Sequence, residues 1–108
     1  MIDPEILQRL SATLAERKGA APESSYVAKL YSKGTDAICK KVAEEAAETI
    51  MAAKDGDLRH LVYEVTDLWF HSLVLLSHFG LSADDVLVEM RRREGISGID
   101  EKNARKEK

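Results

Sequence analysis

Two acidic pairs, Glu45-x-x-Glu48 and Glu64-x-x-Asp67, flank a single turn, the Lys54-Asp55-Gly56-Asp57 stretch. Counted outward from Gly56, Glu48 and Glu64 are each eight residues away, and Glu45 and Asp67 are each eleven away. In helices rising about 1.5 Å per residue, the inner two lie roughly 12 Å and the outer two roughly 16 Å from the turn. An antiparallel helical hairpin then holds four carboxylates level with one another. Charge gathered in that way calls for a cation.

The rest of the chain supports helices. In 108 residues, long enough for one domain, Pro and aromatics are few while Ala, Leu, Glu and Lys dominate. Asp3-Pro4 reads as an N-cap and first helical residue, followed by Ile6, Leu7, Leu10 and Leu14 at helical spacing and closed by Lys18-Gly19. After a linker at 19–23, a short helix is expected from Ser24 or Ser25 to Lys33, ended by Gly34. Thr35 is expected to cap a third helix running to Lys54, and Asp57 a fourth reaching His78 or Phe79 before Gly80. Ser82 and Asp85 have capping-box spacing and predict a fifth helix ending near Arg93. The expected fold is therefore all-α, four to five helices built on an antiparallel hairpin, over residues 1–95. Residues 96–108 read as a charged, mobile tail.

The fourth helix carries apolar residues around nearly its whole circumference, among them Leu58, Val62, Val65, Trp69, Leu73 and Leu76. Such a helix is a buried one, and a chain this small can bury it on every side only with a partner. A homo-oligomer, a two-fold dimer centred on this helix, is the expectation. The net charge of −3 argues against general nucleic-acid binding. The longest uncharged run, Leu68 to Ala83, contains His71 and His78 and is too short and polar to span a bilayer. The single Cys39 excludes an internal disulfide, and the start of the chain, with Asp3 and Glu5, lacks a secretory pattern. Together these features predict a cytoplasmic protein.

An all-carboxylate site suits a hard divalent cation, Mg²⁺ or alternatively Mn²⁺. Mg²⁺ keeps waters and shares its shell with phosphates, so the implied chemistry is phosphoanhydride hydrolysis, with a spare carboxylate as general base. A di-iron bundle usually takes Glu-x-x-His motifs, and neither pair here ends in His. His71, four residues past Asp67, reads as a core histidine or a support for a ligand. The bland alternative is a solvated acidic face paired with Lys40, Lys41 and Lys54.

Lys41-Val-Ala-Glu-Glu-Ala-Ala-Glu48 followed by Glu64-Val-Thr-Asp67 resembles the signature of the all-α, MazG-like NTP pyrophosphohydrolases. Within that superfamily, Ser25-Tyr-Val-Ala-Lys-Leu30, Lys33-Gly34, Asp67-Leu-Trp-Phe-His71 and Arg93-Glu-Gly-Ile-Ser-Gly98 with Glu101-Lys102 resemble the phosphoribosyl-ATP pyrophosphohydrolase family. The one departure is Trp69-Phe70, at positions expected to pack. The resemblance implies Mg²⁺-dependent hydrolysis of phosphoribosyl-ATP to phosphoribosyl-AMP and pyrophosphate, the second step of histidine biosynthesis. It implies Glu45, Glu48, Glu64 and Asp67 as metal ligands, and a base drawn from Glu44, Glu45 and Glu48. Lys41 then contacts a phosphate or neutralises the acids, and Lys29 and Lys33 contact phosphate or ribose. Arg93 is a further candidate within the Arg91–Arg93 run, which also opposes a helix dipole, and Lys102 with the Ser97-Gly98 turn can fold over substrate. Two other functions fit the acids: a house-cleaning nucleoside triphosphate pyrophosphohydrolase, and a metal-binding or structural helical bundle.

Overall fold

The computed structural model describes residues 2–106 and contains six α-helices, with no strand among the described residues. They are α1 (Ile6–Glu16), α2 (Tyr26–Lys33), α3 (Thr35–Asp55), α4 (Leu58–His78), α5 (Ala83–Arg93) and α6 (Gly98–Lys106). Two 3₁₀ turns, Arg17–Gly19 and Pro22–Ser24, occupy the expected linker. The predicted hairpin is the backbone of the fold: α3 and α4 are each 21 residues long and pack along one another.

Local chemistry explains where they meet. Gly56 adopts φ 77°, a left-handed conformation that costs a side-chain-bearing residue more, and its N–H reaches the Ala53 carbonyl at 3.2 Å. Asp57 then caps α4 by accepting from the His60 N–H at 3.1 Å. At the far end Leu81 N–H bonds Leu76 O and Gly80 N–H bonds Ser77 O, each at 2.9 Å, a Schellman closure that ends α4 at His78. The Ser82–Asp85 capping box starts α5 as expected.

Three starts differ from expectation. The first helix begins at Ile6 rather than Pro4, because Asp3 uses its carboxylate to hold the Glu5 N–H at 2.9 Å and forms a turn ahead of the helix. Gly34, at φ 93°, is both the end of α2 and the N-cap of α3. Thr35 is thereby the first residue of α3, and its hydroxyl is free to pair with His78 Nε2 at 3.0 Å. Residues 98–106, expected in a tail, form a sixth helix, whose start is held by Ser97 Oγ accepting from the Asp100 N–H at 3.1 Å. Positions 1, 107 and 108 of the anticipated domain and tail lie outside the described residues.

The core gathers Leu14 of α1, Val27 and Leu30 of α2, Ile38 of α3 and Val74 of α4, with Leu10, Tyr31 and Phe70 packed against it. Among the described residues, the largest fully buried side chains are Leu14, Ile38 and Val74. On α4 itself, Leu58, Val62, Tyr63 and Trp69 are exposed in the single chain. The core binds α1–α4 together and so fixes how α2 sits beside the hairpin.

Candidate active site

The hairpin brings Glu45 and Glu48 of α3 to Glu64 of α4, with one carboxylate oxygen from each lying within 4.8 Å of the others. Glu45 and Glu64 are buried, at 5% and 6% exposure, whereas Glu48 is exposed. Each buried acid has one partnered oxygen: Lys41 Nζ lies 3.4 Å from Glu45 Oε1, and His60 Nε2–H donates to Glu64 Oε1 at 3.0 Å. The other oxygens, Glu45 Oε2 and Glu64 Oε2, are buried with no hydrogen-bond partner. Two carboxylates at this separation repel by roughly 3 kcal/mol at an effective dielectric of about 20. Orphaned buried oxygens add a desolvation cost of about 1–3 kcal/mol each. A hard divalent cation answers both costs with the oxygen donors present, so these residues fit Mg²⁺.

Asp67 stands one turn further along α4. Its carboxylate is not among the three converging oxygens, and its backbone carbonyl accepts from His71 Nδ1–H at 2.8 Å. Glu44 also lies outside the trio, with Lys41 at 3.5 Å and Lys40 at 4.0 Å. Burial opposes the Lys41 ammonium, but the nearby Tyr26 hydroxyl and the bonds to Glu45 and Glu44 outweigh it and hold its pKa above the ordinary value.

The residue that sequence spacing did not reveal is Tyr26. Its hydroxyl pairs with His71 Nε2 at 2.8 Å, while His71 Nδ1–H donates to the Asp67 carbonyl at 2.8 Å. His71 is buried, in edge-to-face contact with the Tyr26 ring at 5.8 Å and the Phe70 ring at 5.3 Å. It is thus a core histidine supporting the backbone at Asp67. Burial raises the Tyr26 pKa; Lys41 works against that rise, while Glu45, Glu44 and Asp67 add to it, which places the phenol within the field of the acid cluster. Its sequence hints were its place in the Ser25–Leu30 segment and just after Ser25, whose hydroxyl caps α2 by accepting from the Ala28 N–H at 3.2 Å.

An open cleft of about 570 Å³ is lined by Pro22, Glu23, Ser24, Ser25, Tyr26 and Lys29. Lys33, one turn on, is exposed and does not line it. Arg93 is elsewhere: its Nε donates to Glu89 at 3.1 Å, and it shares a surface cleft with Leu76, twelve residues and roughly 18 Å beyond Glu64 along α4. Lys102 is exposed on α6, which is joined to α5 by Arg92 donating to Glu101 at 2.8 Å.

A helical hairpin with clustered acids makes this an all-α protein, and its family match places it in the MazG-like superfamily. Residues 7–94 match the model of the phosphoribosyl-ATP pyrophosphohydrolase family, and the chain belongs to that family. It is 78% identical over 106 residues to the phosphoribosyl-ATP pyrophosphatase of Azoarcus sp. strain BH72, covering 98% of this chain and 99% of that one. The protein of the same description from Aromatoleum aromaticum is 78% identical, with 97% of each chain covered. That of Chromobacterium violaceum is 62% identical, with 95% of each covered.

Proposed function

We propose that this chain hydrolyses phosphoribosyl-ATP to phosphoribosyl-AMP and pyrophosphate, the second step of histidine biosynthesis, in the cytoplasm and with Mg²⁺. The observation carrying the metal dependence is the pair of buried, unpartnered oxygens on Glu45 and Glu64 beside Glu48. The substrate is that named for relatives up to 78% identical over nearly the full chain. Glu45, Glu48 and Glu64 would hold the cation, with Asp67 joining them from the next turn. Bound there, Mg²⁺ supplies charge neutralisation for the triphosphate and lowers the pKa of a water.

In the reaction, water oxygen bonds to phosphorus, the phosphoanhydride bond between the α and β phosphates breaks, and pyrophosphate carries away the leaving electron pair. The water proton passes to one carboxylate of Glu44, Glu45 and Glu48. Lys41 pairs with Glu45 and offers an N–H to phosphate, while Lys29 and Lys33 approach from α2. Arg93 and Lys102 act as substrate contacts by reaching a neighbouring subunit's site. Arg93 lies beside Leu76, far along α4 from its own acids, and the exposed apolar face of α4, including Val62, Tyr63 and Trp69, pairs with a second copy in a homodimer.

Pyrophosphate release from phosphoribosyl-ATP and from a panel of NTPs and dNTPs, with Mg²⁺ and with chelator, tests the proposal. Chelator-sensitive turnover of phosphoribosyl-ATP, lost in Glu48→Ala with the helical spectrum retained, is expected. Turnover of the panel without phosphoribosyl-ATP would instead establish a house-cleaning enzyme, and no turnover at all a structural or metal-binding bundle.

A further inference from the structure

The substrate proposed above has two phosphate-bearing ends, and one cluster serves only the triphosphate. The second end, the ribosyl 5′-phosphate on the base, is dianionic and is repelled by three carboxylates gathered within 4.8 Å. It therefore needs a separate cation at a fixed reach from the acids.

The available cations differ in how they are occupied. Lys41 is taken up by Glu44 and Glu45, at 3.5 and 3.4 Å. Arg92 and Arg93 are tied to Glu89 near the far end of α4. Lys29 is exposed and forms no ion pair among the described residues. It also lines the cleft of about 570 Å³ beside Tyr26, a size within the range of roughly 300–1,000 Å³ typical of small-molecule sites.

Tyr26 connects the two places. Its ring is a wall of the cleft, and its hydroxyl is anchored to His71 at 2.8 Å. His71 is in turn anchored at 2.8 Å to the carbonyl of Asp67, one turn from Glu64. This chain of bonds fixes the distance between cleft and acids, as a two-ended ligand requires. Glu23, which also lines the cleft, can accept from ribose hydroxyls but repels phosphate, which keeps the anionic end toward Lys29.

We propose that the cleft between the Pro22–Ser24 turn and α2, walled by Tyr26 and charged by Lys29, holds the non-hydrolysed phosphoribosyl arm and sets the preference for phosphoribosyl-ATP over ATP. This rests on the substrate reading above.

The test compares wild type, Lys29→Ala and Lys29→Arg, with phosphoribosyl-ATP as substrate and ATP, which lacks the arm, as competing inhibitor. Lys29→Ala raises KM about tenfold, the effect of losing one charge-assisted bond to phosphate, and leaves kcat and the ATP inhibition constant within about twofold. Lys29→Arg restores most of the KM. Because Lys29 is exposed, its melting temperature is the fold control and stays at the wild-type value. Unchanged KM in Lys29→Ala, or equal weakening of ATP, overturns the subsite alone. Wild type inert toward phosphoribosyl-ATP overturns the substrate reading and the subsite with it.

Discussion

The two ends of this molecule use glutamate in opposite ways. At the hairpin, Glu45 and Glu64 are buried and each leaves an oxygen without a partner. At the α5–α6 junction, Glu89 is half-exposed yet richly paired: Arg92 donates to it at 2.7 Å and Arg93 at 3.1 Å, and Arg92 also reaches Glu101 at 2.8 Å. Burial without partners is unfavourable in the isolated chain and is retained only where a ligand removes the cost. Exposure with partners contributes little to stability and suits a strap. The contrast separates acids whose burial leaves oxygens open to a ligand from one already satisfied by arginines, although both are the same side chain on a helix.

The sharpest way to break this comparison is Glu64→Gln. The amide keeps the shape and accepts from His60, and its NH₂ can donate to Glu45. The metal-free protein gains about 1–3 kcal/mol, read by urea unfolding in chelator, while pyrophosphatase activity falls more than about a hundredfold. A metal-free variant less stable than wild type contradicts the claim that the cluster is strained without a cation.

A smaller effect is expected from acid at the other end. The Arg92 and Arg93 guanidiniums hold the Glu89 carboxyl down at about 2, below its ordinary 4.5. A depressed acid contributes stability that is present above 4.5 and lost as pH falls through about 2. The pairing of Glu89 with Arg92 and Arg93 inside α5, followed by amide exchange over the last turn of that helix, therefore persists at pH 4 and fades toward pH 2. Loss already at pH 5 removes Glu89 as its basis. Smallest of all is Arg92→Ala, which breaks the Glu101 link and leaves Glu89 to Arg93: α6 becomes more protease-sensitive, added salt mimics the change in wild type, and the melting temperature of the body hardly moves.

The parts of the fold governed by local chemistry were legible in the sequence. The Gly56-Asp57 turn, the Asp57 cap and the Ser82–Asp85 box each depend on residues a few positions apart, and all stand as read. Equal spacing from Gly56 likewise brought Glu48 and Glu64 together. It did not place the Asp67 carboxylate with them, because helix phase as well as height decides where a side chain converges. The sixth helix was hidden by Gly95 and Gly98, which read as breakers, while Ser97 serves as its hydroxyl anchor. Tyr26 was least legible: its partner His71 is 45 residues away, and only the packing of α2 against the hairpin brings them into contact.

The central claim is that the hairpin acids form a divalent-cation site, and Mn²⁺ binding followed by electron paramagnetic resonance tests it most directly. Wild type is expected to take up Mn²⁺, with Mg²⁺ displacing it, whereas Glu64→Gln and Glu48→Ala bind at least about tenfold more weakly. Equal Mn²⁺ uptake by wild type and both variants would contradict the claim.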